Sequence, residues 1–76
     1  MKAKTIEQFP VTSRLMRVKE IIRITGLSRS SLYKCISEGQ FPKAVSLSER
    51  SVAWVEEEVQ DWITAKIQQR NLNIVA

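Results

Sequence analysis

Residues 15–43 read LMRVKEIIRITGLSRSSLYKCISEGQFPK, and the turn at its centre, Thr25-Gly26-Leu27-Ser28, decides the fold. Before the turn, within residues 15–25, Val18, Ile21 and Ile22 recur at helical spacing while Lys19, Glu20 and Arg23 take the opposite face. Gly26 supplies the stop, since a residue without Cβ enters the left-handed conformation that ends a helix at little cost. After the turn, Ser28 opens a second helix, its hydroxyl placed to accept from the backbone N–H of Ser30 or Ser31. Leu32 and Ile36 lie four apart and face inward with Cys35 at their flank, leaving Ser30, Tyr33, Lys34 and Ser37 on the outer side. Gly39 ends this helix and Pro42 keeps it from resuming. Two short helices joined by a glycine-containing turn form the helix-turn-helix pattern.

Outward from this unit the signals are weaker. Residues 1–13 show no period; Ile6, Phe9 and Val11 can pack as an arm, but Pro10 interrupts regular structure, so the stretch reads as a flexible or loosely docked lead-in. Residues 43–54 admit two readings. Val45 and Leu47, and again Val52 and Trp54, alternate with polar neighbours around Ser48-Glu49-Arg50, as in a small hairpin. Val52, Val55, Val59, Trp62, Ile63 and Ile67 also fit one helical face, so a helix capped by Ser48 can begin as early as Glu49. A third helix is expected over residues 55–69, with Glu56, Glu57 and Glu58 at the positive end of its dipole and Lys66 and Arg70 at the negative end. Residues 71–76 read as a frayed tail. The expected organisation is thus a lead-in (1–13), one domain (14–70) and a tail (71–76).

Composition narrows the function. The 76 residues suffice for one small domain, and a chain of this size buries only roughly 60% of its unfolded surface, which leaves little room for a deep catalytic pocket. One cysteine and no histidine exclude an internal disulfide, a four-ligand zinc site and the usual nucleophile–base pairs, so neither a cofactor nor an enzymatic activity is expected. No apolar run approaches the roughly 18 residues of a membrane span, and the N-terminus is too polar for a signal peptide, so the expected location is the cytoplasm, on the nucleoid when bound. The two tryptophans read as core. The net charge of +4 is unevenly spread. Residues 14–43 carry seven cations against two acids, whereas residues 49–61 carry five acids against Arg50 alone. The first half is therefore the candidate anion-contacting surface.

Charge alone also describes a merely solvated face; the mounting of the cations is what discriminates. The second helix begins Ser28-Arg29-Ser30-Ser31, with a cation and three hydroxyls where Asp or Glu usually sits. A positive charge there is unfavourable to the isolated helix by roughly 0.3–1 kcal/mol. Free N–H groups, hydroxyls and a guanidinium together suit a phosphate oxygen. A helix fits the major groove of B-DNA with its leading residues nearest the base edges, which makes Arg29 the candidate for a bidentate contact to guanine. Tyr33 and Lys34 extend the same face, and Arg50, at the tip of the hairpin if one forms, is placed to reach an adjacent minor groove or else to remain a free surface side chain.

The ordered blocks Arg17-Val18-Lys19-Glu20-Ile21, Thr25-Gly26-Leu27-Ser28-Arg29-Ser30-Ser31-Leu32-Tyr33, Gly39-Gln40-Phe41-Pro42-Lys43 and Leu47-Ser48-Glu49-Arg50-Ser51-Val52-Ala53-Trp54-Val55-Glu56, followed by Val59 and Trp62-Ile63, resemble the AlpA family of phage and genomic-island regulators and excisionases. The resemblance runs over residues 15–70. It implies a mainly α, MerR-like winged helix-turn-helix with three helices and a two-stranded wing, the strands near residues 44–47 and 51–54. It implies that the second helix enters the major groove through Arg29, Ser30, Tyr33 and Lys34, with Lys43 and Arg50 near the backbone and minor groove. Double-stranded DNA, either a promoter or an attachment site, is the implied partner, with a tyrosine recombinase (integrase) and further copies of the chain as additional ones. Relatives of this kind activate an integrase gene, act as recombination directionality factors, or do both. This chain departs from the pattern at Ser37-Glu38 and Ser46, where basic residues are common; fewer phosphate contacts fit cooperative binding of several copies.

The expected function is therefore sequence-specific DNA binding in the control of a mobile element, with DNA contacts from Ser28, Arg29, Ser30, Tyr33, Lys34, Lys43 and Arg50. The rival expectation is an adaptor or inhibitor that grips a recombinase or regulator through the acidic cluster at residues 56–61, which repels DNA.

Overall fold

Val18, Ile21 and Ile22 do form the inner face of a helix, but that helix starts later than the periodicity suggests. A computed structural model describes residues 13–75, and in it the chain runs β1 (Leu15–Met16), α1 (Val18–Thr25), α2 (Arg29–Ser37), β2 (Val45–Ser48), β3 (Ser51–Val55) and α3 (Glu56–Val75). Of the lead-in expected over residues 1–13, residues 1–12 lie outside the described residues. Leu15 and Met16, grouped by period with the first helix, are instead a short strand, in antiparallel register with β3 (Leu15 opposite Val55, Met16 opposite Trp54). The sheet consequently has three strands in the order β1-β3-β2 rather than the two of a bare wing. The pairing spans about forty residues of sequence, and local periodicity carries no trace of it.

The ambiguity over residues 43–54 resolves to strands. Val45 pairs with Ala53 and Ser46 with Val52, and an irregularity between Ser46 and Ser48 leaves Leu47 out of register. The result is a helix-turn-helix followed by a β wing and a long helix, an architecture compatible with a winged helix.

Every element except β2 contributes a buried side chain: Met16, Ile21, Leu32, Trp54 and Val59, joined by Phe41 from the loop before β2, form the core. Val18, Ile22, Leu27, Cys35, Ile36, Trp62 and Ile63 pack around it, so Cys35 is a small apolar filler as its position suggests. Truncating a fully buried side chain of this kind costs about 2–5 kcal/mol, a large part of the stability of so small a domain. Both indoles anchor the loop into β2. Trp54 Nε1–H donates to the Pro42 carbonyl (3.0 Å) and Trp62 Nε1–H to that of Gln40 (2.7 Å), while Phe41 meets Trp62 edge-on at 5.0 Å.

α3 begins at Glu56 and continues to Val75, past the expected end near residue 69. No glycine or proline follows Pro42, so nothing in the covalent chain stops it. Lys66 and Arg70 therefore sit inside the helix and not at its C-terminal dipole end, and the last turn contains no cation. Lys66 Nζ lies 5.4 Å from the centre of the Trp62 ring.

Candidate nucleic-acid interface

The turn that presents α2 is held by local bonds. Gly26 adopts φ 77°, and its N–H donates to the Ile22 carbonyl (2.9 Å). Thr25 Oγ1–H donates to Ile21 O (2.7 Å) and in turn accepts from the Leu27 N–H (3.2 Å). Leu27 packs against the core, which sets the angle at which the chain enters α2. Ser28 then caps the helix: its Oγ accepts from the Ser31 N–H at 3.1 Å and its hydroxyl donates to Ser31 Oγ at 3.0 Å, with Ser30 Oγ 3.4 Å away. Of the two N–H partners that the spacing allows, Ser31 is the one used. The hydroxyls of Ser28 and Ser31 and the N–H of Ser31 are thus engaged in the cap, and residues 29–31 of the first turn are exposed to solvent.

At the far end, the Gly39 N–H donates to Ile36 O (3.0 Å) and the Gln40 N–H to Cys35 O (2.8 Å), with Gly39 at φ 74°. This pairing of the last carbonyls is a Schellman closure, and it needs the positive φ that glycine tolerates. With both ends closed and Leu32 fully buried, α2 is fixed against the body along one side only.

On its other side, helical geometry groups Arg29, Ser30, Tyr33 and Ser37, with Lys34 at their edge. Arg29, Ser30, Lys34 and Ser37 are exposed, and Tyr33 is 44% exposed. The first turn holds no acidic residue. The one ion pair among the described residues, Arg14 to Glu56 at 3.5 Å, leaves Arg29 and Lys34 outside it. α2 therefore offers a cation, hydroxyls, a phenol and a second cation along one solvent-facing strip, a set suited to phosphate oxygens and base edges.

The two remaining sequence-derived candidates sit elsewhere. Arg50 is exposed in the turn between β2 and β3, beside Glu49, as the hairpin reading requires. Lys43 is exposed but lines a groove together with Glu58 and Asp61, so its charge is set beside two carboxylates and not among the other cations. Arg17 is not among the sequence-derived contact candidates. Its carbonyl accepts from the N–H groups of Glu20 (3.1 Å) and Ile21 (3.2 Å), which places its exposed side chain at the N-terminal flank of α1. The legible signal was its position immediately before the first apolar residue of the periodic stretch.

No helix among the described residues is long and apolar enough to cross a membrane. Among them, no group of three or more Cys, Asp and Glu side chains is arranged to hold a metal ion.

Three comparisons bear on this surface. The sequence profile described as Prophage CP4-57 regulatory protein (AlpA) matches residues 14–67. The ORF88 protein of Enterobacteria phage P4 is 44% identical over 54 residues, covering 71% of this chain and 61% of that protein. The DNA-binding transcriptional activator AlpA of Escherichia coli K12 is 29% identical over 59 residues, covering 70% of this chain and 84% of that protein. The match thus spans less than two thirds of the phage relative's length and most of the bacterial one's. No solved structure matches this chain significantly.

Proposed function

Because the chain belongs to the AlpA family of prophage regulatory proteins, we propose that it is a DNA-binding transcriptional regulator that reads the major groove with the exposed strip of α2. The carrying observation is the acid-free, Arg29-bearing N-terminus of that helix, capped by Ser28 and open to solvent. A relative named as a DNA-binding transcriptional activator supports the same reading.

In this reading Arg29 contacts guanine, Ser30 and Tyr33 contact neighbouring bases or phosphates, and Lys34 contacts the backbone. Arg17 lies where the first helix of such a motif crosses the backbone, and Arg50 reaches a minor groove from the wing. The protein performs no chemistry itself; affinity comes from phosphate neutralisation and specificity from base contacts. With about four to six phosphates contacted, log affinity falls with log salt at a slope near −4 to −5.

The finer function is control of the element's integration state. The chain binds the attachment site or the integrase promoter, steers a tyrosine recombinase toward excision or activates its gene, and binds in several cooperating copies. Footprinting on both DNA sites tests this, with protected, salt-sensitive tracts expected on at least one. A salt-insensitive protein or no complex on either site would favour the rival reading, an adaptor acting through the acidic start of α3. That rival draws on Glu57, Glu58 and Asp61, none of which is in an ion pair with a described cation.

A further inference from the structure

Among the described residues, β2 is the one element with no buried side chain, and Leu47 is its anomaly. All of β2 is exposed, Leu47 at 47%. Ser46 pairs with Val52 and Ser48 with Ser51, so β2 has one residue more than β3 over this stretch and Leu47 is left without a partner. Ser46 Oγ–H donates to the Ser48 carbonyl (3.2 Å), a bond that spans Leu47 and holds the extra residue in place. An unpaired residue of this kind bends its strand and re-aims its side chain. The turn accounts for the extra residue: Ser48 and Ser51 leave only Glu49 and Arg50 to reverse the chain, and neither has a positive φ. A two-residue hairpin turn without one splays its strands, and the unpaired residue absorbs the mismatch. The turn does not account for a leucine, since a small polar residue closes the hairpin equally well.

We propose that Leu47 is an apolar wedge that enters a minor groove and parts a base step there while α2 occupies the neighbouring major groove. The proposal rests on the DNA-binding reading and adds a specificity-determining residue to it. The chemistry of the wing tip fits. Of residues 46–52 only Leu47 and Val52 are apolar; the others are Ser46, Ser48, Ser51, Glu49 and Arg50. The serines on either side of Leu47 are too small to screen it. Arg50, three residues on, is exposed and suits the negative potential of a narrow minor groove, and serine hydroxyls suit the phosphate and sugar oxygens that border it. Leucine is among the side chains that part base steps from this groove. A protein partner fits less well, because stable protein interfaces bury roughly 1,200–2,000 Å² around an apolar centre, and a tip with two apolar side chains supplies little of that. Pyrimidine–purine steps unstack most readily, so Leu47 selects a TA or CA step where the wing lands, a preference set without a hydrogen bond to any base.

The test uses the full chain and the duplex tracts of the attachment site or integrase promoter, with the fluorescent analogue 2-aminopurine replacing adenine at one position at a time. The fluorescence of this base rises when it loses a stacked neighbour. The wild-type chain should raise it by at least about twofold at one step outside the α2 contact, Leu47→Ala should abolish the rise, and Leu47→Phe should keep it. Affinity should fall by no more than about threefold in Leu47→Ala, because burial of the side chain and unstacking of the step offset one another. Both variants alter an exposed position, and their thermal melts by circular dichroism should match the wild type. A complex that shows no rise at any step overturns the wedge and leaves the DNA-binding reading standing, as does a rise that Leu47→Ala retains. A variant that keeps the rise but loses self-association in sedimentation assigns the side chain to a second copy, which overturns the wedge equally. Absence of any salt-sensitive complex overturns both readings.

Discussion

α2 and α3 both expose an N-terminal turn, and the two turns are charged in opposite senses. α3 opens with Glu56, Glu57 and Glu58, which meet its own positive dipole end from within the chain. α2 opens with Arg29 behind a serine cap and has no acid in its first turn. The same backbone feature is internally neutralised in one helix and left electropositive in the other. The contrast locates the surface where an external anion gains most, because the N–H groups and dipole of α2 meet no competing carboxylate.

The comparison can be broken or sharpened at four points. The largest effect is expected from Trp54→Ala, which removes a fully buried ring and the anchor on Pro42. It should cost about 3–5 kcal/mol in chemical denaturation and abolish both helix presentations together. A mild loss would mean that the two ends do not depend on one core.

Arg29→Ala comes next. It should weaken binding to a cognate duplex by about 1–3 kcal/mol and relax sequence preference, while leaving stability unchanged or a few tenths of a kcal/mol higher. Unchanged affinity in a titration would remove Arg29 from recognition. Ser28→Ala tests the cap itself. Losing the bond to the Ser31 N–H should cost about 1 kcal/mol of stability, read as a lower midpoint at unchanged m-value.

The smallest effect is the mirror experiment on α3. Glu57→Gln should lower stability by about 0.3–1 kcal/mol, a loss that shrinks at high salt, and should not weaken DNA binding. Weakened DNA binding in this variant would show that the acidic turn participates in the interface.

The helix-turn-helix was legible because its determinants are local. Gly26, Ser28, Gly39 and the spacing of Ile21, Leu32 and Ile36 act within a turn or two of themselves, and each takes the role its chemistry suggests. The wing was ambiguous because Val52 belongs both to a helical series with Val55 and Val59 and to an alternating one with Trp54; pairing with β2 and β1 chose the strand up to Val55. Val45 and Leu47 alternate with polar neighbours as in a strand, and both are over one third exposed. Alternation distinguishes the two faces of a strand and says nothing of whether either face is covered.

For the candidate site, the cluster on α2 was legible for the same local reason, while the place of Lys43 was not. Its neighbours Glu58 and Asp61 are fifteen or more residues away in the chain, and only the packing of α3 beside the wing brings them to one groove.

By itself, then, the amino-acid sequence determined two capped helices, their apolar sides and the cation at the head of the second, since caps, glycine turns and helical period operate over a few residues. Tertiary structure alone decided that Leu15 and Met16 become a third strand, that residues 51–55 pair as a strand before α3 starts, and which charges share a surface. Those outcomes depend on contacts between residues far apart in the chain, whose free energy no local pattern encodes.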